Sequence, residues 1–98
     1  MMSIREWYVY VLSCADQSFY TGITTDLQRR LKEHNSDSSR GAKYTRPRRP
    51  VAIIYWESAT NRSTASKREK EIKGMKKSAK ISLIQQQSTM QPNFPSSF

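Results

Sequence analysis

The sequence predicts a mixed α+β fold in one small domain, with elements in the order β-β-α-β-α-α. Three observations carry this. Aromatic and β-branched residues alternate with period two in three short runs, and apolar residues recur at helical spacing in three others. At 98 residues the chain has material for a single core.

The first strand is expected over residues 6–13, where Tyr8, Tyr10 and Leu12 share one face and Trp7, Val9 and Val11 the other. Apolar side chains on both faces mark a strand covered on both sides. Ala15-Asp16-Gln17-Ser18 reads as a turn, and residues 19–24 as the returning strand of a hairpin. Gly22 within that strand marks a bulge or a place where another group approaches the backbone. Thr25 followed by Gln28 has the spacing of a capping box, with Asp26 complementing the helix dipole, so a helix is expected over residues 26–34. Residues 36–50 form a long polar, basic connection of the kind that is usually functional or mobile. A third strand spans residues 51–57, with Val51, Ile53 and Tyr55 alternating with Ala52, Ile54 and Trp56. The segment 61–63 supplies a cap for a helix running to Lys73, and Gly74 ends it. Ser78 then caps a last helix carrying Ala79, Leu83 and Ile84. The folded domain is expected over residues 1–84, and the Gln-, Pro- and Ser-rich stretch 85–98 reads as a disordered tail.

The formal net charge is +9, from 17 Lys and Arg against 8 Asp and Glu. Long-range attraction of that size selects a polyanion, and nucleic acid leads over an anionic membrane surface. Both tryptophans, Trp7 and Trp56, fall in strand-like runs, whereas a membrane-surface helix would set them opposite its cations. Cys14 is the only cysteine, so an intrachain disulfide is excluded. With His34 the only histidine, a dedicated zinc site is excluded too. Neither a signal peptide nor a membrane helix is evident, and the cytoplasm is the expected location.

Two helices carry polar residues where apolar ones belong. Counting from Leu27, the core-facing stripe of the first helix takes in Arg30, Leu31 and His34. A buried guanidinium needs a partner or an open cleft. Its plain structural reading is an arginine snorkelling at the stripe's edge, and its functional one a cation for a phosphate oxygen. In the second helix, Glu69 lies on the stripe of Ala65, Ile72 and Lys76. It is placed either to pair with Lys73 one turn on or to hold a metal ion, and one carboxylate suffices for Mg²⁺. A two-metal site would want several clustered acids, and the acids here are mostly isolated. Tyr8, Tyr10 and Tyr20 are ordinary strand tyrosines taken singly. A phenol can nevertheless accept a proton where a cation or metal lowers its pKa. The remaining cations fall in two groups. Lys43, Arg46, Arg48 and Arg49 flank or follow Tyr44 in the long connection, and Lys67, Arg68, Lys70, Lys73, Lys76, Lys77 and Lys80 dress the last two helices. Phosphate contact is the reading their density favours, with Lys43, Tyr44, Arg46, Arg48, Arg49, Lys67, Lys70 and Lys73 as nucleic-acid-binding candidates.

Tyr8-Val9-Tyr10, Tyr20-Thr21-Gly22, Arg30, His34 and Glu69, in this order and spacing, resemble the GIY-YIG endonuclease superfamily, specifically its small single-domain bacterial members of unassigned role. Gly41-Ala42-Lys43-Tyr44-Thr45-Arg46 is similar to the connection of that group. The resemblance covers roughly residues 6–84. It implies a small three-stranded antiparallel sheet flanked by helices, cutting nucleic acid with one Mg²⁺ or Mn²⁺ ion. It also implies roles: Tyr20 activates water, Tyr10 orients the nucleophile and Arg30 steadies the phosphate. His34 would stand near the phosphate or leaving oxygen, and Glu69 would hold the metal. Two positions depart from the pattern: Tyr8 replaces the name-giving glycine, and Ile23 stands where repair-nuclease members often carry lysine. The expected substrate is DNA in preference to RNA, recognised by structure more than sequence, by a monomer or weak dimer with a protein partner able to add specificity. A nucleic-acid-binding module of the same fold with little or no turnover is the rival, and a small basic adaptor for a protein partner a third reading. Both helices are expected to pack on the hairpin from one side of the sheet, bringing Tyr10, Tyr20, Arg30, His34 and Glu69 together.

Overall fold

A computed structural model describes residues 6–36 and 40–90 of the protein. The strands are β1 (Trp7–Ser13), β2 (Phe19–Thr24) and β3 (Ala52–Ala59), and the helices α1 (Leu27–Ser36), α2 (Arg62–Lys73) and α3 (Lys77–Met90). A short 3₁₀ turn, Arg46–Arg48, lies in the long connection. The sheet is antiparallel throughout, in the order β2-β1-β3. β1, apolar on both faces, takes the centre because only there does a strand bury both.

α1 and α2 take opposite faces of the sheet, which corrects the expectation that both would share a side. Tyr10, Leu12, Val51 and Ile53 form one cluster with Leu27 of α1, while Val9, Val11 and Tyr55 form the other with Ala65 and Ile72 of α2. Each face of β1 is hydrophobic enough to need its own cover, and a single helix cannot reach both. β3 does not keep the simple alternation expected of it either. Val11 pairs with Tyr55 but Leu12 with Ile53, so Ile54 is an extra residue in a bulge. The bulge sends Ile53 and Tyr55 to opposite faces.

The helix caps also differ in part from expectation. Asp26, not Thr25, caps α1, its Oδ1 accepting from the Arg29 amide at 3.0 Å. Asn61 caps α2 through the Thr64 amide at 2.8 Å, and Gly74 ends the helix in a right-handed conformation. α3 begins one residue before Ser78, so that serine lies inside the first turn. It also runs on to Met90, past Gln85 where a disordered tail was expected to start. Tertiary contact supports this extension: Leu83 and Ile84 pack beside the α2-side cluster, and the Gln87 amide pairs with both backbone polar groups of Trp56 on the open edge of β3. The rest of that expected tail, residues 91–98, lies outside the described residues. No helix among the described residues is long and apolar enough to cross a membrane.

Candidate active site

On the α1 side of the sheet the core is polar at its centre. Tyr10 and His34 are each at most 1 % exposed, and the Tyr10 hydroxyl lies 2.8 Å from His34 Nε2. Thr45, also fully buried, fixes the direction of this bond. Its hydroxyl donates to the Ala42 carbonyl at 3.0 Å and so faces His34 Nδ1, 3.0 Å away, as an acceptor. His34 therefore carries its proton on Nδ1, and Nε2 accepts from Tyr10. The result is a one-way chain from Tyr10 through His34 and Thr45 to the Ala42 carbonyl. Among the described residues no buried side-chain N or O lacks a partner.

The chain sets protonation states. Burial, aided by the positive charge of Arg30, pushes His34 down to about 4, so the ring is neutral at neutral pH. Burial also raises the Tyr10 phenol well above its ordinary value, and the nearby Tyr20 and Glu69 add to this while Arg30 opposes it. Tyr10 is thus a fixed hydrogen-bond donor.

Gly22 explains how the phenol fits. It sits opposite Tyr10 in the β1–β2 register, where the ladder is continuous. A Cβ on Gly22 would stand 2.5 Å from the Tyr10 hydroxyl oxygen. Of the two readings of this glycine, close approach is therefore the right one, and there is no bulge at that point.

Tyr20 is half-buried beside this chain. Its ring centroid lies 5.2 Å from that of His34 and 6.5 Å from that of Tyr10. Tyr44, exposed in the connection, stacks on Tyr20 at 6.1 Å. Arg30 reaches the same place from α1. Its guanidinium bonds Glu33 at 2.9 Å and the Arg40 carbonyl at 2.6 Å. Burial works to lower its pKa, but the bonds to Glu33 and Tyr10 outweigh that and raise it. Glu69 comes from α2, which lies over β1 and β2. Its carboxylate pairs with Lys73 at 3.3 Å and is close enough for its charge to act on the Tyr10 phenol. Tyr10, Tyr20, Arg30 and His34 thus gather on the α1 side, and Glu69, on the helix over the other face, is linked to them through the effect of its charge on Tyr10.

The basic candidates divide by what already holds them. Lys43, Tyr44 and Arg46 are exposed, as are Lys67, Lys70 and Lys73. Arg48 is committed to the fold: its Nε donates to Asp16 at 3.0 Å, another nitrogen to the Tyr44 carbonyl at 2.7 Å, and its guanidinium covers the Tyr44 ring at 4.0 Å. Arg49 donates to the His34 carbonyl at 2.5 Å. Arg68 bridges Glu57 and Glu71 at 2.9 and 3.1 Å, fastening α2 to β3. These bonds, with Asn35 pairing both backbone groups of Val51 and the Ala15 amide donating to the Arg48 carbonyl, tie the described part of the long connection down. Thr45 was missed as a site residue. Its segment was singled out, but nothing local tells which of its polar groups meets His34.

Among the described residues no group of three or more His, Cys, Asp and Glu could hold a metal ion. Glu69 offers one hard oxygen donor whose charge reaches Tyr10, which fits an ion that keeps most of its waters.

The family described as the GIY-YIG catalytic domain matches residues 6–82. A UPF0213 protein of Desulfotalea psychrophila is 53% identical over 78 residues, covering 80% of this chain and 70% of that protein. One from Natronomonas pharaonis is 49% identical over 77 residues, covering 79% and 88%. The solution NMR structure of the protein EF2693 from E. faecalis superposes with a TM-score of 0.56 at 40% identity, covering 97% of this chain and 96% of that one.

Proposed function

This chain belongs to the GIY-YIG catalytic-domain family, and on that premise we propose that it is a divalent-metal-dependent endonuclease hydrolysing phosphodiester bonds in DNA, guided by structure more than sequence. The observation that supports this reading is the cluster of two phenols, a neutral histidine and a guanidinium on the α1 side of the sheet, with the charge of the Glu69 carboxylate on α2 reaching the Tyr10 phenol. Structural needs alone give no reason to gather them.

The protonation states assign the work. Tyr10 is held protonated and spends its proton on His34, so it orients and does not act as base. Tyr20, next to it and half-buried, is left as the group that takes the proton of the attacking water. The water oxygen bonds phosphorus and one ester P–O bond breaks. Arg30 presents a fixed positive charge to the phosphate, where negative charge grows in the transition state. His34, fully buried, acts through Tyr10 as a positioning residue. Glu69 would hold one Mg²⁺ or Mn²⁺, which supplies further positive charge to the phosphate oxygens when bound. Lys43, Arg46, Lys67 and Lys70 lie exposed and suit backbone contact along the substrate.

One observation favours the binding-module rival: the Glu69 carboxylate already has Lys73 as a partner. A nuclease assay with Mg²⁺ or Mn²⁺ on single-stranded, flapped and branched DNA and on RNA decides between them. Cleavage of branched or flapped DNA by the wild type, absent in Glu69→Ala, is the expected result. Binding without cutting on every substrate would leave the rival standing.

A further inference from the structure

Arg30 also lines a basic cleft of about 340 Å³. Trp7, Ile23, Arg29, Arg30, Glu33 and Arg62 are among its walls. Three guanidiniums face one carboxylate there, and that carboxylate is already divided between Arg30 at 2.9 Å and Arg29 at 3.7 Å. Among the described residues Arg62 has no carboxylate partner, and its guanidinium stands 5.9 Å from the centre of the Trp7 ring.

The charges sit where folding alone disfavours them. Arg62 opens α2, and Arg29 and Arg30 lie in the first turn and a half of α1. Neither helix has an acidic residue in its first turn, although Asp26 caps the start of α1. Cations at helix N-termini oppose the macrodipole, and the usual occupants are acids. Arg62 at the start of α2 thus joins Arg29 and Arg30 to set three arginines against one carboxylate around the opening, an arrangement that an anion would relieve. Trp7 and Ile23 add an apolar wall that a sugar or base can lie against.

We propose that this cleft is a phosphate subsite, which grips the phosphodiester next to the one cleaved and so sets the path of the strand across Arg30. The inference rests on the reading of Arg30 as the cation at the scissile phosphate. Arg62 is its specific grip, because Arg29 and Arg30 share Glu33 while Arg62, among the described residues, has no carboxylate partner.

The test uses the full chain carrying Tyr20→Phe, so that substrate is not consumed, and a fluorescein-labelled flapped DNA duplex titrated over a series of salt concentrations. Arg62→Ala is expected to weaken binding by about three- to tenfold and to make the slope of log K against log salt shallower by about one. Arg62→Lys should keep most of the slope. In a Trp56→Phe background Trp7 is the sole tryptophan, and its emission should change on adding the duplex and stop changing in Arg62→Ala. Unchanged affinity, slope and emission in Arg62→Ala, with DNA still bound by the parent, would overturn the subsite and leave the endonuclease reading intact. A salt slope that fell as far in Arg62→Lys as in Arg62→Ala would do the same, since the contact would then not depend on the charge. A parent chain that bound no DNA would sink both. DNA bound through Arg62 but never cut by the wild type would keep the subsite and remove the nuclease.

Discussion

The two faces of one three-stranded sheet differ in what they bury. Toward α2 lie Val9, Val11, Tyr55, Ala65 and Ile72, a mainly aliphatic layer closed by α3. Toward α1, the same central strand buries Tyr10 against His34 and Thr45, so that face holds a hydrogen-bonded chain at its centre, where the other is mainly hydrocarbon and its one phenol, Tyr55, donates to Glu57. Burying polar groups costs more than burying methyls and is tolerated only when each is partnered. The α2 face therefore supplies stability, and the α1 face spends some of it to fix the protonation and orientation of side chains. Period-two alternation in a single strand, Tyr8-Val9-Tyr10-Val11-Leu12, divides these tasks.

The sharpest break between the faces should come from activity. Tyr20→Phe and Glu69→Ala are each expected to lower cleavage by about 10⁴-fold or more, some 5 kcal/mol of barrier, while DNA binding and melting temperature stay near those of the parent. Metal-dependent cutting that survived both would show the site to be elsewhere. On the opposite face, Ile72→Ala should show the reverse pattern. Removing a fully buried side chain should cost about 2–5 kcal/mol of stability, read by denaturant unfolding, with cleavage per folded molecule unchanged well below the melting point.

Gly22→Ala should damage both properties at once. Its methyl group would collide with the Tyr10 hydroxyl, whose ring is buried and cannot swing aside. A destabilisation of about 1–3 kcal/mol is expected, together with reduced cleavage. If Gly22→Ala left cleavage untouched, the Tyr10–His34 contact would have no part in catalysis.

The smallest effect is in pH. His34 titrates near 4 in the fold against an ordinary value near 6.5. Its contribution to stability is complete above about pH 6.5 and is lost as pH falls toward 4, because the unfolded chain takes up the proton first. Below that the loss levels off. An NMR titration of the ring with a midpoint near 6.5 would contradict the buried, neutral histidine. The Tyr8 phenol, raised by burial and by its bond to Glu6, should show no such acid-side transition.

Much of this was legible without the fold. The order of elements, the hairpin, the Asn61 cap and the two faces of β1 follow from periodicity and short-range hydrogen bonding, which act within a few residues. Polar residues on apolar stripes also announced themselves: Arg30, His34 and Glu69 stood out because helix geometry puts them where carbon belongs. What lay beyond local reading was partnership. That Arg48, Arg49 and Arg68 would be spent on Asp16, the His34 carbonyl and Glu57 depends on groups 11 to 32 residues away. Composition made them look like free cations.

The sequence by itself determined the kinds of elements, the strong positive charge and the identity of the out-of-place side chains, since each is a property of neighbours along the chain. Only the tertiary structure decided that α1 and α2 cover opposite faces, that a bulge at Ile54 reverses β3, and that Thr45 orients His34 and thereby Tyr10. The physical reason is that burial and hydrogen-bond direction are settled by whatever arrives through space. One hydroxyl from a distant loop fixes which ring nitrogen keeps its proton, and no pattern around His34 carries that information.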